Sequence, residues 1–378
     1  MFLQSLHLRQ FRNYRDQPVE FNAPKTILVG ENAQGKSNLL EAVELLATLR
    51  SHRATRDREL VMDGESASQI AAVLDRNLGS VDLALTLRSN GRRTVALNEQ
   101  TLKRQLDFLG VMNAVQFSSL DLDLVRGGPG QRRGWVDTLL TQLEPIYASI
   151  LHQYNLVLRQ RNALLKQQRN GIEKGVDLDN SPDTTQLAIW DAQLATMGTR
   201  VIRRRARVLD RLAPLAQAWH QSISSSREML DVRYAPNVVM AQDDPTVIQQ
   251  AFLEKIQQRT IAEKLQGTTL VGPHRDEIEF TINQTPARQY GSQGQQRTLV
   301  LALKLAELKL IEAVTGEQPL LLLDDVLAEL DLNRQDKLLE TIQDRFQTLI
   351  TTTHLGSFDA QWLKSSQILT VKAGQICE

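Results

Sequence analysis

Between an apolar run, Thr26-Ile27-Leu28-Val29, and a helix-spaced one, Asn38 to Arg50, the chain reads Gly30-Glu31-Asn32-Ala33-Gln34-Gly35-Lys36-Ser37. No other segment restricts the fold as much. The octet fits G-x-x-x-x-G-K-[ST] at every fixed position, with the strand before it and the helix after it that the pattern requires. The reason is chemical. Two glycines let backbone N–H groups wrap a string of phosphates, and the helix N-terminus adds partial positive charge. Lys36 is expected to reach the β- and γ-phosphates of ATP or GTP, and Ser37 to ligate Mg²⁺. A chance glycine turn would fit the spacing in roughly one chain per hundred of this length, and more rarely with both flanks in place. An α/β protein built around a nucleotide is the expectation.

A second segment completes that site. Leu320-Leu321-Leu322-Leu323 leads into Asp324-Asp325. Four aliphatics in a row read as a strand buried on both faces, with the acids where it emerges. Taken alone, such an end is a solvated terminus with a helix cap. With a phosphate loop upstream, Asp324 becomes the carboxylate expected to hold Mg²⁺, directly or through water. Asp325 then sits where a base or water-positioning residue is wanted. Lys36, Asp324 and Asp325 are the candidate catalytic residues.

Composition sets the surroundings. Hydrophobic residues at 42% and charged ones at 23% are ordinary for a globular chain, so extended disorder is not expected. Basic and acidic residues balance at 44 each, so a nucleic-acid contact must come from a local patch. Cys377 is the single cysteine and has no disulfide partner, which fits a reducing compartment. Met1 to Asp16 carries arginines where a signal peptide would be apolar. The longest aliphatic stretch, Leu320 to Leu323, is far short of the ~20 residues of a membrane span. A cytoplasmic protein with no membrane partner is expected.

The pattern along the chain divides it in three. Strands are expected over Phe2 to Phe11, Val19 to Phe21 and Thr26 to Val29, then a helix, then strand alternation from Ile70 to Leu97 with a turn at Ser89-Asn90-Gly91. From Ile146 to Gln168, Leu151, Leu158 and Leu165 recur at sevens. A polar break at Gly171 to Pro182 follows, then a second helical run with Leu187, Trp190, Leu194, Met197 and Val201. This reads as an antiparallel helical hairpin whose arms of 25 to 35 residues reach roughly 40 to 50 Å. A third helix is expected from Pro245, capped by Asp243 or Asp244. Strand character returns at Ile278 to Ile282, then a long helix from Gln295 to Val314, the Leu320 strand, another helix and a final strand near Thr348 to Thr352. Residues 1–120 and 270–378 are thus expected to form one ATPase head, with 121–269 inserted as a helical lid or short arm.

Gly291-Ser292-Gln293-Gly294-Gln295-Gln296, just before the long helix, resembles the signature loop of ABC-type ATPases. That resemblance implies that Ser292, Gly294 and Gln295 bind the γ-phosphate held by an opposite subunit, in an ATP-sandwiched homodimer. Leu327-Ala328-Glu329-Leu330-Asp331 looks like the D-loop, with Asp331 at the dimer seam. His354, after Thr352-Thr353, stands where such proteins keep a γ-phosphate sensor, and Gln116 is the candidate Q-loop residue. Across its length the chain resembles the RecF family of ABC/SMC-type ATPases. The matching stretches are Leu8 to Tyr14, Ser51-His52-Arg53 with Arg56 to Leu60, Leu122 to Gly127 with Arg132-Arg133, Gly272 to Asp276, and Leu322 to Asp331. The resemblance implies a weak, DNA-stimulated ATPase that uses Mg·ATP as a switch. It implies binding of double-stranded DNA near single-strand gaps, and work with RecO and RecR to load RecA.

Two basic clusters could carry DNA. Arg200, Arg203, Arg204, Arg207 and Arg211 make a stripe on one face of the return arm, and Arg50, Arg53, Arg56 and Arg58 follow the phosphate-loop helix. Both are solvated helix or loop faces on the plain reading, and part of the second is expected to line the nucleotide. Aromatic residues at 5% disfavour base stacking and favour phosphate contact to a duplex. Two alternatives stay open: the ATPase subunit of a transporter, and a DNA clamp that uses ATP without turnover.

Overall fold

A computed structural model describes residues 1–173, 182–224, 228–342, 345–358 and 360–377. Most of the polar break expected at Gly171 to Pro182 lies outside the described residues. The chain forms two compact units. One comprises Met1–Leu122, Leu215–Met229 and Gly291–Glu378, the other Asp123–Pro214 and Leu230–Tyr290.

The first unit is the head, and two six-stranded sheets build it. One is antiparallel, in the order β2 (Tyr14–Glu20), β1 (Phe2–Phe11), β4 (Ala67–Arg76), β5 (Gly79–Arg88), β6 (Arg93–Leu97), β7 (Gln100–Thr101). Its alternation is visible in β5, where Leu83, Leu85 and Leu87 are buried while Asp82 and Arg88 face out. The β5–β6 turn falls at Ser89-Asn90-Gly91, and Gly91 takes φ +82° there.

The other sheet runs β15 (Gln375–Cys377), β14 (Ser366–Lys372), β3 (Lys25–Val29), β13 (Thr348–Thr352), β12 (Leu320–Asp324), β8 (Ala114–Ser118). All but β15 are parallel. Continuous apolar runs suit strands covered on both faces, and Leu320 to Leu323 are at most 1% exposed. Helix α1 (Lys36–Thr48) packs on β8, β12 and β13, and a long signature helix (Gln293–Thr315) packs on β8. Parallel strands end together, so β3, β12 and β13 deliver Gly30, Asp324 and Thr352 to one rim, where such sheets bind ligands.

The expected final strand at Thr348 to Thr352 is not the last. β14 and β15 follow it, and β14 lies directly beside β3. Ser366 and Gln367 open β14 with polar side chains, which hides it from a search for apolar runs.

The second unit holds the expected helical hairpin: a helix over Pro145–Glu173 and a return helix over Pro182–Ile223. Glu144 meets Arg204 at 3.1 Å while Arg161 meets Asp191 at 2.6 Å, so the two run antiparallel. The return helix, at 42 residues, is longer than expected, because Pro214 lies inside it without ending it. The third helix spans Pro245–Gln266, and Asp244 caps it by accepting from the Thr246 and Val247 amides.

The boundaries at 121, 269 and 270 shift. β10 (Glu277–Ile282) pairs with β9 (Leu230–Ala235) and with β11 (Thr285–Pro286), which keeps residues up to Tyr290 in the second unit. Residues 215–229, expected in the insertion, belong to the head. The later boundary was misplaced because β9, which draws β10 into this unit, is a half-polar strand with no apolar run to announce it.

Ion pairs hold this unit internally. Arg161 is 1% exposed and reaches Asp191 and Glu263 at 2.6 Å each and Thr269 at 2.9 Å. Arg205 is likewise buried, between Asp137 at 2.9 Å and Asp276 at 3.1 Å. Removing one member of such a group strands the rest in low dielectric, at a cost of about 3–5 kcal/mol. Arg161→Ala should therefore strip hydrogen-exchange protection from the Pro245–Gln266 helix while head peptides around Lys36 keep theirs. Unchanged protection in that helix would show that Glu263 finds another partner.

Candidate nucleotide site

β3 ends at Val29 and α1 starts at Lys36, so the loop between them is short and fully constrained. Gly35 takes φ +119°, and a Cβ there would lie 2.7 Å from the Asn13 amide. Glycine is required on both counts. Lys36 is 4% exposed and folds its ammonium back over the loop, donating to the Gly30 and Glu31 carbonyls at 2.7 and 2.9 Å. Glu31, Asn32 and Ala33 are exposed at the loop's crest.

The loop is tied from behind by residues that no local pattern marks as part of the site. Asn13 donates to the Gln34 carbonyl at 2.9 Å and accepts from Asn38 at 2.9 Å. The buried Tyr14 hydroxyl donates to the Gly35 carbonyl at 2.9 Å. From the β14–β15 turn, the Gly374 amide reaches the Gln34 carbonyl and the Ala373 amide its side-chain oxygen, at 2.9 and 2.7 Å. Burial pushes the Tyr14 phenol well above its ordinary range, so it stays a donor.

Across the rim, Ser37 and Thr351 both donate to the same Asp324 carboxylate oxygen, at 2.7 and 2.8 Å. Thr351 also accepts from the Asp325 amide at 2.9 Å. Thr351 was missed because it sits inside a buried strand, although three threonines in a row before His354 were a signal. Ser37 and Asp324 present hard oxygens, as Mg²⁺ prefers. Among the described residues no group of three or more histidines, cysteines or acids could hold a metal unaided.

Asp325 differs from its neighbour. It takes φ +54°, a backbone conformation that aspartate and asparagine tolerate better than most residues. Burial raises its carboxyl above the usual range, Lys36 opposes this, and the charge on Asp324 adds to it. A carboxylate lifted in this way is better matched to accepting a proton near neutrality.

Gln116 lies on β8, in register with Leu322 and two residues before the Ser118–Asp324 pair. Its Nε2 is 3.1 Å from His52 Nε2, and His52 Nδ1 is 2.6 Å from Glu44. Burial lowers the His52 imidazole, but the hydrogen bond and charge of Glu44 outweigh it and leave the ring above its ordinary value. Burial also raises Glu44 itself.

The signature segment has its own geometry. Ser292 is exposed and caps the helix after it: its Oγ accepts from the Gln295 amide at 3.2 Å, and Gln295 Oε1 accepts from the Ser292 amide at 2.8 Å. Arg334 ties this segment to the D-loop. It pairs with Asp331, donates to Thr298 at 2.8 Å and reaches the Gly294 carbonyl at 3.3 Å. Burial works against the Asp331 charge, yet Arg334 holds that carboxyl below its usual range. His354 is exposed, and its backbone is pinned to Thr352 Oγ1.

The arginines sort less simply than their spacing suggests. Arg203 and Arg207 share Asp243, at 2.5 and 2.8 Å, and Arg204 pairs with Glu144. The stripe is thus largely neutralised by acids from other segments, which spacing along one helix cannot reveal. Arg200 and Arg211 stay exposed. In the head, Arg53 donates to Asn38 on the phosphate-loop helix at 2.9 Å. Arg50, Arg56 and Arg58 are exposed and form no side-chain ion pair among the described residues.

Known proteins resemble this chain along nearly its whole length. The family model for the RecF/RecN/SMC N-terminal domain matches residues 2–375. A DNA replication and repair protein RecF from Nostoc punctiforme is 72% identical, covering 100% of this chain and 99% of its own. One from Cyanothece sp. is 69% identical, covering 100% and 98%. A structure of the recombination mediator protein RecF with ATP, in the RecFOR pathway, superposes with a TM-score of 0.90 at 31% identity, covering 100% of this chain and 97% of that one. An Smc head domain from Pyrococcus furiosus shares the fold at a TM-score of 0.54 and 15% identity.

The two acids should fail differently. Asp325→Asn keeps the shape and the tolerated backbone, so Mg·ATP binding should persist while hydrolysis falls by about a hundredfold or more. Asp324→Asn should weaken the response of nucleotide binding to Mg²⁺. Equilibrium binding of a fluorescent ATP analogue beside single-turnover hydrolysis measures both, and equal loss of binding in the two variants would overturn the division.

Proposed function

The chain belongs to the RecF family of DNA replication and repair proteins, within the RecF/RecN/SMC group, and from that membership we propose an ATP-switched clamp on duplex DNA. Two heads would sandwich Mg·ATP, hold double-stranded DNA beside a single-strand gap, and release it after slow, DNA-stimulated hydrolysis. With RecO and RecR it would help RecA load on the exposed strand. The RecFOR pathway named for a structural relative supports that placement.

One observation carries the mechanism. Lys36, Ser37, Asp324 and Asp325 are gathered at the rim of one sheet, while the signature Ser292 is exposed and, among the described residues, bonded only within its own helix cap. A phosphate ligand with no phosphate of its own to hold is suited to the nucleotide of a second copy. In this reading Lys36 binds the β- and γ-phosphates, Ser37 and Asp324 hold Mg²⁺, and Asp325 prepares the attacking water. Gln116, Asp331 and His354 line the γ-phosphate.

The transporter alternative loses its support. The relatives that cover the whole chain are DNA replication and repair proteins. A clamp without turnover is disfavoured by the second acid, Asp325, which follows Asp324 at the end of β12 where a water-positioning group is wanted. The DNA surface moves towards the head, because Arg203, Arg204 and Arg207 are already paired while Arg50, Arg56 and Arg58 form no ion pair among the described residues.

Ser292→Arg should leave nucleotide binding by the monomer intact and abolish ATP-dependent dimers in sedimentation, since the added bulk meets only the partner's phosphate. Lost binding in the monomer would mean that the loop acts within its own head. Duplex binding supplies a separate check. Each phosphate contact contributes about −0.9 to the slope of log affinity against log salt. Changing Arg56 and Arg58 to Ala should flatten that slope by about 2 units per protomer, whereas changing Arg203 and Arg207 should leave it nearly unchanged. The reverse result would return DNA to the arm.

A further inference from the structure

Gln116 carries a buried side-chain oxygen, Oε1, with no hydrogen-bond partner. An orphaned buried acceptor is costly, so a fold that keeps one has a use for it. The neighbours point to that use. His52 stands on the other side of the amide, with its Nε2 3.1 Å from Gln116 Nε2. Its Nδ1 faces the Glu44 carboxylate at 2.6 Å, and Glu44 also accepts from the His52 backbone amide at 3.3 Å. In its neutral form, a ring whose Nδ1 proton is committed to a carboxylate presents an unprotonated Nε2, which can only accept. The amide must then donate from Nε2, and Oε1 is turned away from the ring.

The rest of the surroundings gives that oxygen a direction of use. Gln116 lies on β8 beside β12, in register with Leu322 and two residues before the Ser118–Asp324 pair at the strand ends. Ser37 and Asp324 supply two hard oxygens at the rim, and a neutral amide oxygen is a third of the same class. An amide turned the other way would aim an N–H₂ donor at a cation. Orientation therefore decides whether Gln116 helps or opposes the metal.

We propose that His52, clamped by Glu44, is a positioning residue that fixes the Gln116 amide with its oxygen available to the Mg²⁺ of the bound nucleotide. It touches neither nucleotide nor metal. It selects one of two amide orientations that sterics alone leave equivalent. The proposal rests on the Mg·ATP reading of the rim, and its test is arranged to separate the two.

The measurement is equilibrium binding of a fluorescent ATP analogue, titrated with Mg²⁺ at mildly alkaline pH and repeated in chelator. His52→Ala should leave chelator binding within about twofold and raise the Mg²⁺ needed for half-response about five- to tenfold, the loss of roughly one to 1.4 kcal/mol of ligand orientation. Glu44→Gln, which frees the tautomer, should shift it in the same direction. Gln116→Glu in the His52→Ala background should restore the Mg²⁺ response, because a carboxylate presents oxygen in either orientation. Because His52→Ala could loosen the segment after α1, His52→Gln and the melting temperature of each variant are read alongside. Equal losses with and without Mg²⁺, or no rescue by Gln116→Glu, would overturn the positioning role. Asp324→Asn is the control: if it keeps a normal Mg²⁺ response, the reading of the rim fails, and if only it loses the response, His52 alone is acquitted.

Discussion

A single carboxylate oxygen organises the head. Asp324 Oδ1 takes hydroxyl protons from Ser37 at 2.7 Å and Thr351 at 2.8 Å. Ser37 opens the phosphate-loop helix, Thr351 belongs to β13, and Asp324 ends β12. Three segments, of which Ser37 and Asp324 lie 287 positions apart and Asp324 and Thr351 only 27, are thus registered at one point. Parallel strand pairing sets the approximate level, since Asp324 pairs with Thr351 and Thr351 with Leu28. The hydroxyl bonds then fix the final position of the acid. A hydrogen bond to a charged group contributes about 1.5–3 kcal/mol, so two of them hold the carboxylate firmly against thermal reorientation.

What could be read in the sequence follows the same division. The phosphate loop, the Leu320 strand with its acids and the Asp244 cap were legible because each is a local pattern with a local physical cause. Ser292 was legible through resemblance, and its capping box with Gln295 is a local signature as well. Asn13, Tyr14, Thr351 and Gly374 were not, because they act only through the chain's return to the loop. β9 and β14 were missed for a related reason. Half-polar strands become recognisable only once their partners, β10 and β3, are known. Charge was the least legible of all: five arginines in helical register promised a bare stripe, and Asp243 and Glu144 arrive from elsewhere to neutralise three of them.

That neutralisation bears on how a chain with no net charge could hold DNA. Arg203 and Arg207 cannot release counterions from a duplex without first breaking their bonds to Asp243, which their hydrogen bonds hold below the usual carboxylate range. Exposed pairs of this kind are individually weak, but a pair exchanged for a phosphate contact returns only the difference. An exposed arginine without a partner returns the whole. Arg50, Arg56 and Arg58 are therefore the stronger electrostatic contribution per side chain, and they lie in the same unit as the nucleotide site. Phosphate contact in that unit requires no signal to travel through the helical insertion.

The dimer reading places a further demand on the head, and Arg334 meets it. A surface that closes on a partner's nucleotide loses binding energy to whatever disorder it must first remove. The signature segment and the D-loop are both partner-facing in that reading, and loops are ordinarily the mobile parts of a protein. Here one guanidinium binds Asp331, Thr298 and the Gly294 carbonyl together. The reciprocal cap between Ser292 and Gln295 fixes the helix start, and Gln295 is held in turn by Glu228 at 2.9 Å. Both loops are thus ordered within one head before any second head arrives. Ordering them beforehand leaves ATP to supply only the missing charge at the seam, which is what a nucleotide switch needs if hydrolysis is to undo it.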